Sequence, residues 1–85
     1  MAPHFSLDKK RIRILLLEGI HPSAVAAFEK AGYSSVEYIK TALDAEALEK
    51  KIRDVHMIGI RSRTQLTAAI LGKARKLFKI GRAHV

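Results

Sequence analysis

Two arginines one residue apart, Arg61 and Arg63, directly follow a short apolar segment, residues 55–60. That segment has the composition of a strand, and in an extended backbone alternate side chains lie on the same face. Two guanidinium groups would then lie side by side, with no acidic residue near them in the sequence. Paired guanidinium groups bind phosphates and carboxylates through charge-assisted hydrogen bonds. Although a solvated loop is the commoner meaning of such a motif on its own, the residues from Arg61 to Thr64 predict an anion-binding site.

The rest of the chain alternates apolar runs typical of buried parallel strands with amphipathic segments typical of helices. Strands are predicted at residues 12–17, 35–39 and 55–60, and helices at 22–31, after a cap at Asp44, and from Thr64 or Thr67 to Leu77. Leu71 is expected on the buried face of the last helix, although Gly72 weakens that helix or divides it in two. Residues 77–80 have the pattern of a fourth strand. The order β-α-β-α-β-α indicates an α/β fold with a parallel sheet. Ligands of such sheets bind beyond the carboxyl ends of the strands, which is where the arginine motif falls.

The composition fits one small domain, because 48% of the 85 residues are hydrophobic. The absence of cysteine excludes disulfides and thiolate metal sites. No pair among the four histidines has metal-ligand spacing, so no metal is expected. The longest aliphatic run, residues 14–17, is far too short to span a bilayer, and the first ten residues lack the apolar core of a signal peptide. We therefore expect a cytoplasmic protein with no membrane partner.

The net charge of +8 is unevenly distributed along the chain. Residues 55–85 carry seven of the 16 basic side chains and none of the eight acidic ones. This excess favours a small basic nucleic-acid-binding module as the alternative function. Against that alternative, the aromatic side chains are few and scattered and no nucleic-acid-binding motif is present. A chain cut off before its compensating acidic residues would show the same asymmetry.

Glu18, at the end of the first predicted strand, is compatible with the acidic pocket of a receiver-type signalling domain of similar fold. Such a pocket needs clustered carboxylates and a phosphorylatable aspartate after the third strand. This chain has Ile60, Arg61, Ser62 and Arg63 there instead. The missing cluster argues against the signalling function.

Five short segments together resemble one enzyme family. They are Leu17-Glu18-Gly19-Ile20-His21, Ala31-Gly32-Tyr33, Lys40-Thr41-Ala42-Leu43-Asp44, Ile52-Arg53-Asp54 and Ile58-Gly59-Ile60-Arg61-Ser62-Arg63-Thr64. Their order and spacing closely resemble the amino-terminal end of the bacterial D-3-phosphoglycerate dehydrogenases, which are D-isomer-specific 2-hydroxyacid dehydrogenases. The resemblance covers residues 6–81. Each segment is a weak signal alone, but together with the arginine motif they are specific.

The resemblance implies an oxidoreductase that uses NAD to oxidise 3-phosphoglycerate to 3-phosphohydroxypyruvate, at the entry to serine biosynthesis. Such enzymes are homo-oligomers with an active-site cleft between two flavodoxin-like or Rossmann-type lobes. The chain matches the first part of the substrate lobe, so the implied fold is a partial flavodoxin-like, Rossmann-related parallel sheet. By the resemblance, Arg61, Ser62 and Arg63 contact the substrate. Lys40 adds positive charge to the same cleft or to that of a neighbouring subunit. The implied partner is a small phosphorylated hydroxy acid and not a nucleic acid.

Much of the family's chemistry is absent from the 85 residues. The glycine-rich dinucleotide fingerprint, its acidic ribose partner and the residues that move the proton lie downstream in the family. We therefore expect no catalytic and no cofactor-binding residue here, with NAD bound by a domain that the chain lacks, and an inactive fragment. Residues 1–79 are assigned to the amino-terminal part of the substrate lobe. Residues 80–85, Ile80-Gly81-Arg82-Ala83-His84-Val85, match the translation of a common sequencing adapter and are expected to be a non-native tail.

Overall fold

The computed structural model describes residues 9–82 and contains a sheet of four parallel strands in the order β2-β1-β3-β4. The strands are β1 (Arg13–Leu16), β2 (Ser35–Tyr38), β3 (Met57–Ile60) and β4 (Lys79–Arg82). The helices between them are α1 (Ser23–Lys30), α2 (Ala45–Ile52) and α3 (Ala68–Leu71). This strand order is that of the first four strands of a flavodoxin-like sheet, so the predicted fold class is confirmed.

Two apolar cores lie on opposite faces of the sheet. Side chains of β1 alternate between them, so Ile14 and Leu16 pack with α1 on one face, whereas Leu15 and Leu17 pack with α2 and α3 on the other. Both faces of the central strands are covered, which explains why their sequences are continuously apolar. We call the core on the face of α2 and α3 the second core. Leu17, Ile52 and Ile60 are completely buried in it. This packing fixes the ends of β1 and β3, from which the arginine motif and its neighbours emerge.

Helices α2 and α3 begin where a side-chain oxygen caps the first turn. The N–H of Ala47 donates to the Asp44 carboxylate at 2.8 Å, and the N–H of Ile70 donates to the Thr67 hydroxyl at 3.3 Å. These caps satisfy backbone donors that the first turn of a helix leaves unpaired. The predicted cap at Asp44 is therefore confirmed, and Thr67 rather than Thr64 begins the last helix.

Helix α3 ends after a single turn at Gly72, the residue predicted to weaken or divide it, and does not reach Leu77. Leu71, which was expected inside, is 40% exposed. Glycine is a poor helix former, and here it ends the helix before Ala74 and Leu77 can extend it. Leu77 and Ala74 still pack against the core, but from the connection that leads to β4.

The predicted fourth strand is present, and Ile80, Gly81 and Arg82 lie within it. The origin of residues 80–85 remains a prediction, and Ala83, His84 and Val85 lie outside the described residues, as does His4. Between residues 9 and 82, no helix is long and apolar enough to cross a membrane.

Candidate functional site

The carboxyl ends of β1, β2 and β3 lie side by side, because β1 is hydrogen-bonded to both of the other strands. Backbone hydrogen bonds continue beyond the ends of β1 and β2. The N–H of Glu18 donates to the Thr41 carbonyl at 3.1 Å, and the N–H of Gly19 donates to the Ile39 carbonyl at 3.2 Å. The segment that follows β1 is therefore fixed against the segment that follows β2.

Gly19 allows these two segments to approach closely. Its φ is +62°, and a Cβ at this position would lie 3.2 Å from the Lys40 carbonyl oxygen. Any other residue would have to adopt a left-handed backbone conformation and also displace the Lys40 backbone. The glycine thus places Lys40 beside the end of β1.

The Glu18 carboxylate binds the backbone of the residues that follow β3. Its Oε2 accepts hydrogen bonds from the N–H of Arg61 at 2.7 Å and the N–H of Thr64 at 3.0 Å, and its Oε1 accepts one from the N–H of Arg63 at 2.7 Å. We call residues 61–64 the arginine loop. Its main chain closes around an acidic side chain that is 43 residues from Arg61 in the sequence.

The arginine loop therefore corrects one expectation. Arg61, Ser62 and Arg63 do not continue the strand, because Ser62 and Arg63 form bends. The acidic residue that binds this loop, Glu18, is distant in the sequence. In an extended strand successive N–H groups point in opposite directions, so one carboxylate could not bind the N–H groups of Arg61, Arg63 and Thr64 together. A bent backbone makes these N–H groups converge into an anion-binding concavity.

The same contacts determine the ionisation of Glu18. Partial burial tends to raise the pKa of its carboxyl, but contacts with the Thr64 hydroxyl and the N–H groups of Arg61, Arg63 and Thr64 outweigh burial and lower the pKa from 4.5 to about 2. Within the described residues, the buried Thr64 hydroxyl makes no hydrogen bond, whereas each of the three N–H groups donates one to the Glu18 carboxylate. We therefore assign the lowered pKa chiefly to the backbone donors, which favour the charged carboxylate.

A pH dependence of stability follows from this lowered pKa. The Glu18 carboxyl binds protons more weakly in the folded chain than in the unfolded chain. Its stabilising contribution is therefore complete above about pH 4.5 and is lost as pH falls toward about 2. We expect the free energy of unfolding, measured by urea denaturation, to fall more steeply over this range in the wild-type chain than in Glu18→Gln. Glu29→Gln, an exposed change on α1, should retain the wild-type slope; equal slopes in all three proteins would contradict the assignment.

The predicted substrate-binding residues Arg61, Ser62, Arg63 and Lys40 line one open cavity of about 360 Å³. Glu18, Thr41 and Ala42 complete its lining. The structure thus brings all four predicted residues together at the carboxyl edge of the sheet, although contact between them and a substrate remains a prediction.

In the part of the chain that the structure describes, the basic side chains at this cavity form no salt bridge. Among residues 9–82, no carboxylate lies within 4.0 Å of the side-chain nitrogens of Arg61, Arg63 or Lys40. The N–H of Ser62 has no acceptor in the same part of the chain. Three cationic side chains and one carboxylate line this concave surface, and such an excess of positive charge attracts anions.

The role of Glu18 could not be predicted from the residues around it, because its partner Arg61 lies 43 residues further along the chain. A signal does exist in the topology. An acidic residue directly after β1, in a sheet where β1 neighbours β3, can reach backbone N–H groups that follow β3. That signal depends on the strand order, which single-sequence patterns do not supply.

The turn between β1 and α1 does not fit a dinucleotide such as NAD. It contains one glycine, Gly19, and the space beside the Cα atom of that glycine is occupied by the Lys40 carbonyl. Ile20 packs against the core, and Pro22, which caps α1, has no N–H to donate to a phosphate. We therefore assign no part of a cofactor site to this turn. In residues 9–82, no three histidine, aspartate or glutamate side chains are grouped so that they could hold a metal ion.

Comparison with known proteins agrees with the segments identified above. The family model of the D-isomer specific 2-hydroxyacid dehydrogenase catalytic domain matches residues 14–85. The D-3-phosphoglycerate dehydrogenase of Haemophilus influenzae is 47% identical over 81 residues, which are 95% of this chain and 20% of that protein. The Escherichia coli K12 enzyme of the same name is 49% identical over 76 residues, which are 89% of this chain and 18% of that enzyme.

A eukaryotic relative also matches most of this chain. D-3-phosphoglycerate dehydrogenase 1 of Saccharomyces cerevisiae is 49% identical over 70 residues, which are 82% of this chain and 15% of that protein. The chain thus spans a fifth or less of the relatives that it matches. With the family model matching residues 14–85, the chain belongs to the D-isomer-specific 2-hydroxyacid dehydrogenase family.

Proposed function

We propose that this chain is the part of an NAD-dependent dehydrogenase that holds the anionic groups of 3-phosphoglycerate while the substrate is oxidised to 3-phosphohydroxypyruvate in serine biosynthesis. One observation carries the proposal. The side chains of Arg61, Arg63 and Lys40 line one cavity at the carboxyl edge of the sheet, where the only carboxylate in the lining, that of Glu18, is bound by backbone N–H groups instead of by these cations. The relatives that match over most of the chain are named for oxidation of this substrate.

The chemistry of the substrate suits these side chains. 3-Phosphoglycerate carries a phosphate and a carboxylate, and a guanidinium group can donate two parallel hydrogen bonds to either. The exposed side chain of Lys40 adds a point charge to the same cavity. Ser62 offers its hydroxyl and its N–H as neutral donors. These groups would bind and orient the substrate, and they transfer neither a proton nor a hydride.

The cofactor and the groups that move the proton belong to the remainder of the protein in this proposal. NAD supplies the hydride acceptor when it is bound there. The chain alone is expected to be inactive, and the whole protein is expected to be a homo-oligomer, as the family resemblance implies.

A chimeric enzyme tests the proposal. In it, this chain replaces the matching segment of the Escherichia coli dehydrogenase, to which it is 49% identical. We expect the chimera to reduce NAD when 3-phosphoglycerate is added, measured by the absorbance of NADH. The 85-residue chain by itself should produce no NADH under the same conditions.

Two outcomes would count against the proposal. A chimera that folds and binds NAD but does not oxidise 3-phosphoglycerate would show that this chain does not carry the substrate site. Production of NADH by the chain alone would refute the expected inactivity of the fragment. The unaltered Escherichia coli enzyme is the control for the assay.

A further inference from the structure

Glu18 is an acidic residue in the lining of a cavity that we propose binds an anion. Its lowered pKa keeps it charged at neutral pH. By charge alone it would repel a phosphate or carboxylate, because like charges close together destabilise each other. Any benefit that it gives to anion binding must therefore come from geometry.

The geometry is that of an internal ligand bound to the arginine loop. The carboxylate accepts hydrogen bonds from three of the four loop residues, at 2.7, 2.7 and 3.0 Å. Backbone N–H groups that converge in this way form a concavity that binds an anion. Here the anion is a side chain of the same chain. The N–H groups of Arg61, Arg63 and Thr64 are thus already occupied, whereas the N–H of Ser62 has no acceptor among residues 9–82.

The backbone of Glu18 is itself in a strained conformation. Its φ is +65°, and it is the only residue other than glycine with a positive φ in the part of the chain that the structure describes. Left-handed backbone at a residue with a Cβ is unfavourable and persists only where surrounding contacts hold it. The N–H bond from Glu18 to the Thr41 carbonyl and the three bonds to its carboxylate are such contacts. The turn that carries Glu18 therefore depends on the same contacts that hold the arginine loop.

We infer that Glu18 is a positioning residue for the anion site: its carboxylate fills the backbone concavity of the arginine loop and fixes the loop, so that the guanidinium groups of Arg61 and Arg63 hold the substrate's anionic group. Without this carboxylate the converging N–H groups would lose their acceptor and the loop could open. The inference rests on the proposed function, because it assigns Glu18 a role in binding the same anion.

The inference predicts a change of affinity opposite in sign to that expected from charge. In Glu18→Gln the side chain keeps its size, but one oxygen becomes an amide NH₂ that cannot accept a hydrogen bond from the loop. Removal of a negative charge should strengthen the binding of an anion if Glu18 acts through charge alone. Loss of the loop's shape should weaken it. The sign of the change therefore separates a positioning role from an electrostatic one.

The experiment measures the affinity of the 85-residue chain for inorganic phosphate, from the backbone amide resonances of the isotope-labelled protein. We expect Glu18→Gln to weaken phosphate binding at least about fivefold, the scale of one ordinary hydrogen bond lost from the loop. Glu18→Asp keeps the charge and should recover part of the loss. Glu29→Gln changes the net charge equally but lies on α1, so it should leave the affinity unchanged or slightly higher. Phosphate binding by Glu18→Gln that equals or exceeds that of the wild type would overturn the inference.

A second measurement needs no variant and no ligand. When the wild-type chain is acidified, the amide resonances of Arg61, Arg63 and Thr64 should shift together with a midpoint near pH 2, because all three N–H groups bind one carboxylate. Different midpoints for the three residues, or no shift, would show that the Glu18 carboxylate does not hold the loop. This test applies even if the Glu18→Gln variant fails to fold. A wild-type chain that shows the common midpoint but does not bind phosphate would support those contacts and refute the proposed function, so the two failures can be distinguished.

Discussion

Truncation of Ile60 to alanine is expected to lower the free energy of unfolding by about 2 to 5 kcal/mol, the range found for large-to-small changes in well-packed cores. Ile60 is completely buried at the end of β3, in the core formed with α2 and α3. The loss would remove much of the stability of a small domain, for which about 5 to 15 kcal/mol is typical. Urea denaturation followed by circular dichroism measures it.

Ile80→Ala is the matched control for this change. Ile80 has the same side chain on another strand, but it is 47% exposed. Its truncation should cost less than about 1 kcal/mol, because exposed positions tolerate substitution. Similar losses for Ile60 and Ile80 would show that the second core is not packed as described. Since Ile60 directly precedes Arg61, its loss should also broaden the amide resonances of the arginine loop.

The exchange of Arg61 or Arg63 for lysine is expected to raise the KM of the chimeric dehydrogenase for 3-phosphoglycerate about tenfold, and to change kcat less. Lysine keeps the positive charge but has no planar fork, so the paired hydrogen bonds to a phosphate or carboxylate are lost. One hydrogen bond to a charged group contributes about 1.5 to 3 kcal/mol, which corresponds to a tenfold or larger change. Steady-state kinetics with saturating NAD measures both constants.

Arg53→Lys provides the control for the arginine exchanges. Arg53 is exposed at the end of α2 and does not line the anion cavity. Its exchange for lysine should leave KM unchanged. If Arg61→Lys and Arg63→Lys also have the kinetics of the unsubstituted chimera, the arginine loop does not bind substrate. If only one of them raises KM, that arginine alone provides the paired hydrogen bonds.

Features that depend on neighbouring residues could be predicted from the sequence. The continuous apolar run at residues 14–17 indicated a strand buried on both faces, and both faces are covered in the structure. Asp44 was expected to begin a helix, and its carboxylate caps α2. The arginine motif was expected beyond the end of a strand, and it lies there. In each case the pattern that predicts the feature lies within a few consecutive residues.

Features that depend on distant residues could not be predicted in the same way. The arginine loop is bent because Glu18 binds its backbone from another strand, and no local pattern records that contact. Glycine inside a strand usually weakens it. In this fold a Cβ at Gly59 would lie 2.8 Å from Leu16 Cδ2 and 3.0 Å from Ile20 Cδ1, so the glycine leaves room for these two side-chain ends against β3. Such requirements appear only once the strands are ordered.

The most direct test of the central claim is a titration of the 85-residue chain with 3-phosphoglycerate, followed through the backbone amide resonances. D-Glycerate, which lacks the phosphate, is the matched ligand. We predict saturable shifts at residues 40–42 and 61–63 with 3-phosphoglycerate and much weaker binding of D-glycerate. Shifts confined to the basic segment at residues 73–76, or none that saturate, would contradict the claim that the arginine loop and Lys40 form the anion site.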